Sequence, residues 1–520
     1  MAARPVSVLI VGGGPVGLAL AVECGFRGIG CVLVEQGDGK LNVPRMSGVS
    51  GRGMEFCRRW GIADKVRSLW PAAHPMDFVY VTTMVGEEIT RTKIASYQQR
   101  GRNLDYSPEG SCTCPAIFFD PILAEKAQSM PGVEIRYRTR LESFAQDNDA
   151  VHARLIDQET GETETLSVRY MVGCDGAGGV VRPALGIELE GLGTIATSVN
   201  VYFRSPEFAT MHDKGWARFY RFLDDEGCWA ELVAIDGREL WRLSTFHQPE
   251  PDLTGHSYMR KLGGRDFSYE LLDVSVWERR DFVAREYRRG RVLLAGDSAH
   301  QCSPTGGVGM HIGICEAVNL AWKLEALFAG WGGPRLLDSY GLESRPVAKN
   351  YVDLSTKTFD DIAGPPGVEG FRERLAADPD FPRRLNLPDQ LRAQFCYENS
   401  PICIGDGSPP PEGDALLAPS ARPGTRAPHC WIGDDRSTLD LFAGGFVLLR
   451  LGAPGADVDG LTKKAAELGM PLEVVDLDNA ESAALYEQPL ILVRPDGHIA
   501  WRGAEAPNDA ASLIDHVRGA

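Results

Sequence analysis

A chain of 520 residues with a net charge of −17 is long enough for a large core in two or three domains, and its acidity argues against nucleic acid or anionic membrane as a partner. No apolar run is long enough to span a bilayer, and MAARPVSVLIVGGG enters a strand without a basic n-region and cleavage site, so a cytoplasmic protein without a signal peptide is expected. Twelve cysteines lie scattered without a disulfide framework, which fits reduced thiols; Cys112 and Cys114, a C-x-C pair without metal-site partners nearby, read as ordinary thiols, and no metal is expected.

The chain opens with a β-branched run, Val6 to Val11, followed at once by Gly12, Gly14, Pro15 and Gly17 in a G-x-G-x-x-G pattern. Leu18 to Cys24 then reads as helix, Cys31 to Val34 as a second strand, and Glu35 closes it. Strand, glycine turn, helix, strand and acid are the dinucleotide fingerprint in its required context. The glycines let a pyrophosphate approach backbone at the helix end, and Glu35 is placed for ribose hydroxyls; the motif alone does not separate FAD from NAD. Arg45 follows in a loop, as either a solvated charge or a phosphate contact, and Met54 to Trp60 reads as a helix ended by Gly61.

Cys114 to Ala127 reads as a further helix, and residues 134 to 173 alternate like antiparallel strands before the turn Asp175-Gly176, with Arg182 six residues on. Val199 to Phe203, Ala217 to Phe222, Cys228 to Ile235 and Leu240 to Phe246 read as an antiparallel sheet. Arg218, Tyr220, Trp229, Glu231 and Trp241 are candidates for its inner, substrate-facing side, each with about an even chance of facing the other way because alternate side chains point outward.

Val292 to Ala295 reads as a buried strand that Gly296-Asp297 ends with a carboxylate at its carboxyl end, where open α/β sheets bind ligands. Pro304, Gly306, Gly307 and Gly309 form a loop with little side-chain bulk, and apolar residues from Ile314 onward recur at helical spacing. A carboxylate, a bare loop and a helix N-terminus suit a ligand with hydroxyls at one end and a planar, electron-accepting ring at the other, which is the shape of a flavin. The helix end is worth about 0.3 to 2 kcal/mol toward negative charge on a reduced ring, a bias rather than a binding site. The plain alternative is a turn from strand to helix.

Residues 336 to 359 read as helical, and the proline-rich stretch from Pro365 through Pro428 as wrapping or linking, with helix limited to Val368 to Ala377 and Leu387 to Phe395. Beyond it, Phe446 to Leu451 is a strand, Asp459 to Leu468 a helix, Leu472 to Val475 a strand, and Leu490 to Arg494 pairs across Asp496-Gly497 with Ile499 to Arg502.

Together these stretches resemble the FAD-dependent aromatic hydroxylases of the para-hydroxybenzoate hydroxylase fold. The likeness covers roughly residues 1 to 360. Gly12, Gly14, Pro15, Gly17 and Glu35 match that family's FAD fingerprint. Asp175, Gly176 and Arg182 match its second motif, on FAD and the nicotinamide nucleotide. Gly296 and Asp297 match the third, on the ribityl chain, and Pro304, Gly307, Gly309, Met310 and His311 the loop and helix start beside the isoalloxazine ring, while Arg45 falls where an FAD-contacting arginine is common. Departures are Ala116 for a usual glutamine, with Asp120 at the following acidic position, Gly179 for a serine, His311 for an asparagine and Glu316 for an aspartate. The segment from Ala421 resembles the thioredoxin-like C-terminal domain of the phenol and polyketide hydroxylase branch. It has no C-x-x-C, so packing or interaction rather than dithiol chemistry is expected.

The resemblance implies an α/β fold: a Rossmann-like FAD-binding domain (residues 1–75, 111–190 and 290–362), an antiparallel-sheet substrate domain (76–110 and 191–289), a linking segment (363–420) and a thioredoxin-like domain (421–520). It implies bound FAD, NADH or NADPH as co-substrate, O2, and hydroxylation of a small phenolic or polyphenolic aromatic through a flavin C4a-hydroperoxide in a closed, dry site. No catalytic base is assigned, and oligomeric state stays open, a homodimer being one option. The rivals are a same-fold oxidase, dehydrogenase or halogenase, although no W-x-W-x-I-P segment is present, and a flavin-binding interaction protein without turnover.

Overall fold

The computed structural model describes residues 6–100, 104–248, 251–364, 367–386, 396–410 and 418–520. Val8–Val11 and Cys31–Val34 are buried at every position, as a continuous apolar run in a sheet covered on both faces requires. They occupy the middle of a six-stranded sheet whose order is Arg288–Arg289, Val292–Leu294, Tyr170–Gly173, Val8–Val11, Cys31–Val34 and Val133–Arg136. All neighbours are parallel except the first pair. Leu294 and Val11 both stand in register with Gly173. The three glycine-bearing turns of the sequence therefore leave one edge of one sheet, side by side. The Pro15–Phe26 and Gly309–Ala329 helices contribute to the same core.

The span from 134 to 173 is not uniformly antiparallel. Its two ends are parallel strands of this sheet, and only Thr139–Gln146, Val151–Asp157 and Thr163–Val168 form an antiparallel meander. The second sheet has eight strands: His300–Gln301, Glu270–Ala284, Leu189–Arg204, Leu240–Thr245, Cys228–Ala234, Phe219–Leu223, Phe78–Val81 and Glu88–Thr92. It is mixed rather than purely antiparallel, because Phe219–Leu223 runs parallel to Phe78–Val81, a strand supplied from far upstream.

The proline-rich stretch does more than link. Val368–Ala377 is helical, and Phe371, Phe381 and Leu385 are buried in one cluster with Tyr80, Phe246 and Phe359, so this segment closes the core of the second sheet. Leu387 to Phe395, expected as helix, lies outside the described residues.

At the C-terminus a four-stranded sheet runs Leu472–Leu477, Phe446–Leu451, Leu490–Val493 and Ile499–Gly503, the first pair parallel and the others antiparallel. The Ala480–Tyr486 helix was not anticipated; Asn479 caps it, its side chain accepting from the Ser482 N–H. This sheet shares a core with Trp322 and Ala326 of the Gly309–Ala329 helix and with Trp331 and Leu336 of the loop that follows it. The junction is also ionic. Glu343 accepts from Arg494 (2.5 and 3.1 Å) and Lys323 (2.6 Å), Arg494 holds Asp496 (2.6 Å), and Arg426 reaches Glu55, all of them buried.

Candidate active site

The shared sheet edge opens into a cavity of about 970 Å³ that continues beneath the second sheet. At the first turn Gly12 takes φ +110°, and a Cβ there would overlap the Cys174 carbonyl. A Cβ on Gly17 would overlap the Gly12 carbonyl oxygen, so this glycine permits helix and strand to touch without itself lining the cavity. Gly14 differs: an added Cβ meets nothing within 4 Å, because the residue borders the cavity. Glu35 braces the turn, its two carboxylate oxygens accepting from the Gly13 N–H (2.8 Å) and the Gly37 N–H (2.7 Å).

Asp175 joins the second turn to the third. It accepts from the Ser298 hydroxyl at 2.7 Å and from the Val180 and Val181 N–H groups at 2.6 and 2.9 Å, while Gly176 N–H donates to Ser298 Oγ at 3.0 Å. A Cβ on Gly179 would fall onto that carboxylate as it stands. Gly296 also stands off the cavity; its N–H donates to Glu316 Oε2 at 2.8 Å, and the buried His300 Nε2 meets the same oxygen at 3.2 Å. Glu316 thus pins the turn that aims Asp297. The Asp297 side chain is exposed to the cavity, and desolvation by the surrounding protein pushes its pKa up against the pull of His300 and Arg45. His311, at the start of the Gly309–Ala329 helix, pairs through Nδ1 with Ser50 Oγ at 2.7 Å, and Ser50 caps the Gly51–Arg59 helix.

Gly12, Gly14, Pro15, Glu35, Arg45, Asp175, Gly176, Asp297, Pro304, Gly307, Gly309, Met310 and His311 all border this one cavity. Arg182 does not. Its Nη1 donates to the Ile187 carbonyl at 2.7 Å and holds the following turn instead.

Of the five candidates on the second sheet, Arg218 and Glu231 border the cavity and three do not. Tyr220 alternates with the cavity-facing Phe219 and Arg221, and its hydroxyl donates to the Gly215 carbonyl. Trp241 stacks on Trp216 behind the sheet, again one residue out of phase with Arg242 and Ser244. Trp229 has the parity of Glu231, but a bulge at Phe222/Leu223 leaves it unmatched, and it packs on the far side with Phe222.

Arg221, Arg242, Arg279, Phe78 and Phe246, none of them singled out from the sequence, take those places. Arg242, Ser244 and Phe246 do show a period of two, which was the available signal. Arg221 donates to Glu231 at 2.9 Å and to the Tyr80 hydroxyl at 2.7 Å. Arg242 is fixed by the Pro44 carbonyl at 2.6 Å, and its buried Nε has no partner. Arg279 donates only to neutral groups, Ser198 Oγ (2.8 Å), Ser303 Oγ (3.1 Å) and the Thr245 carbonyl (3.2 Å); burial pulls its pKa down to about 9.

A bare glycine edge, a carboxylate at the next strand end and a cavity at the upper end of the usual ligand range fit FAD with a ring compound beside it. Residues 5–355 match the family described as FAD binding domain, and residues 420–519 the family described as aromatic-ring hydroxylase, C-terminal. The chain belongs to the FAD-dependent aromatic-ring hydroxylases.

Among curated relatives, a putative polyketide hydroxylase of Streptomyces halstedii is 33% identical over 96% of this chain and 94% of its own length. RebC soaked with chromopyrrolic acid and holding 7-carboxy-K252c superposes with a TM-score of 0.92 at 37% identity, covering 99% of this chain and 100% of that one. Aklavinone-11 hydroxylase in ternary complex with FAD and aklavinone gives a TM-score of 0.85 at 27% identity, with both chains covered in full (100%). This aromatic-ring hydroxylase is thus an enzyme, a flavoprotein monooxygenase with FAD as its cofactor. Among its described residues no helix is long and apolar enough to cross a membrane.

Proposed function

We propose that this hydroxylase places oxygen on a polycyclic phenolic aromatic that carries a carboxylate or phenolate, with NADH or NADPH as reductant and O2 as co-substrate. The carrying observation is the charge of the cavity wall. Arg218, Arg221, Arg242 and Arg279 meet there with Glu231 as the one carboxylate that the described strands of the second sheet bring to the cavity. Glu231 is already paired with Arg221, while Arg242 and Arg279 have no carboxylate within ion-pair distance among the described residues. A buried cation without a counter-charge is costly, and an anionic ligand supplies that charge. The ligands named with RebC, an acid and a carboxy compound, support the same chemistry.

In this reading the glycine turns, Glu35, Arg45, Asp175 and Asp297 hold FAD. When bound, FAD supplies the activation of O2 and the transfer of one oxygen atom to the ring. The arginines orient the substrate and stabilise its ionised oxygen, which makes a phenol ring more nucleophilic. Phe78, Phe246 and Met76 cover the ring and exclude water. The C-terminal sheet order supports a thioredoxin-like reading, with a packing rather than a redox role.

The test is NAD(P)H oxidation and product formation by the holoenzyme on polycyclic aromatic acids and their methyl esters. Acids are expected to be turned over and esters poorly. Arg242→Ala should lower kcat/KM for the acid by about 10- to 100-fold, or about 1.4 to 2.7 kcal/mol, with FAD retained. Equal use of acid and ester by both proteins would overturn this reading.

A further inference from the structure

The Ala116–Gln128 helix presents two side chains to the main cavity, Ala116 and, one turn on, Asp120. Asp120 also borders a second cavity of about 280 Å³, so it stands in the wall between the two. It is only 4% exposed, and its Oδ1 has no hydrogen-bond partner. A buried carboxylate without donors bears its desolvation cost uncompensated. Burial pushes its pKa up to about 7, with Arg45, which also borders the main cavity, pulling the other way. The other ionisable groups facing it are Tyr137, beyond the end of the Val133–Arg136 strand, Cys114 just before its own helix, Asp38 and Lys40 across the second cavity, and Glu125 on its own helix. Arg45 is the cation whose charge acts on it directly.

We propose that Asp120 is a proton-linked positioning residue for the cofactor, neutral when FAD is bound and in competition for Arg45 when ionised. The proposal rests on the reading that this cavity takes FAD. Its chemistry is simple: FAD carries an anionic diphosphate, and an ionised carboxylate in the same cavity repels it and draws Arg45 to itself. A neutral Asp120 leaves Arg45 free and offers an O–H to the bound molecule. Above the free-state pKa, one proton passes from solvent to Oδ1 or Oδ2 when FAD binds, and returns when it leaves. Ala116 has no polar side-chain atom, so Asp120 is the polar side chain that this helix brings to the main cavity among the described residues.

The experiment is a dilution series of the full-length holoenzyme from pH 6 to 9, reading released FAD by its fluorescence. With one linked proton, Kd is expected to be flat below about pH 7 and to rise about tenfold per pH unit above it. Asp120→Asn, which cannot ionise, should hold FAD with a Kd nearly independent of pH over this range and tighter than the wild type at pH 9. Dissociation at pH 8 should release protons to solvent in the wild type and none in the variant. Parallel pH profiles for the two proteins would overturn the proposal while leaving FAD binding intact. A wild type that retains no FAD at any pH would overturn the cofactor reading beneath it. Should Asp120→Asn lose FAD by misfolding, Arg45→Gln serves in its place: with the opposing cation gone the onset should move to higher pH, and an unmoved onset would count against the linkage.

Discussion

Two glycines of one motif do different work, and substitution should separate them. At Gly17 a methyl group collides with the Gly12 carbonyl, so Gly17→Ala should destabilise the fold by about 1 to 3 kcal/mol, seen as a lower Tm even without cofactor. At Gly14 there is room on the protein side. Gly14→Ala should leave the Tm of the FAD-free protein unchanged and weaken FAD binding by at least about tenfold, about 1.4 kcal/mol. His300 offers a pH test. Burial lowers its pKa, but the Glu316 carboxylate outweighs burial and leaves it above the ordinary histidine value of 6.5. The stability this pair contributes is therefore complete below about pH 6.5 and fades as pH rises through the higher folded-state value. Glu316→Gln should lower Tm most at pH 6, with the gap to wild type closing as pH rises. A gap that widens would contradict the pairing. Gly12 was readable from sequence because its turn admits only glycine, and Gly14, Asp175 and Asp297 because each sits in a spaced motif at the end of a strand. Arg182 was not, because nothing local reveals that its guanidinium turns to the Ile187 carbonyl.

At the scale of the strand, readability depended on phase. Strand identity followed from alternation, but which alternate face met the cavity did not, and Tyr220 and Trp241 were assigned one residue out of phase. Trp229 shows the deeper difficulty: a bulge reverses parity partway along a strand, and its register exists only against the partner strand. Parallel pairing of Phe78–Val81 with Phe219–Leu223 was equally hidden, since it joins segments about 140 residues apart. Phase has a chemical consequence in Glu231, the anionic member of a cationic wall. Glu231→Gln should lower KM for an acidic aromatic by roughly two- to fivefold, the reverse of Arg242→Ala, because it removes repulsion and frees Arg221. A raised KM in steady-state assays would place the substrate's anion elsewhere.

Across the whole molecule, the C-terminal sheet is part of the folded core rather than an accessory. The sheet and the segments flanking it supply Arg426 to Glu55 and Arg494 to Glu343 and cover Trp322, so removing residues 421–520 exposes two buried carboxylates and a hydrophobic face. Deletion is expected to give aggregated protein without bound FAD, not a trimmed enzyme that still reduces its flavin. Glu343→Ala, which strands Lys323 and leaves Arg494 with Asp496 alone, should cost about 3 to 5 kcal/mol in stability and open the C-terminal segment to limited proteolysis. Burial raises the Glu343 pKa, but Arg494 and Lys323 more than offset it and bring it to about 2, below the ordinary glutamate value of 4.5. Its contribution is full above about pH 4.5 and is lost as pH falls toward 2, so the wild type should lose the domain junction in that acid window and Glu343→Gln should show no such step.

Oxygen incorporation tests the central claim most directly, by supplying the holoenzyme with NAD(P)H, a polycyclic aromatic acid and 18O2 and weighing the product. One 18O atom per hydroxylated molecule is the expected result. NAD(P)H consumed with all the label in hydrogen peroxide, or a product oxygen drawn from water, across a panel of such acids, would contradict hydroxylation in this cavity.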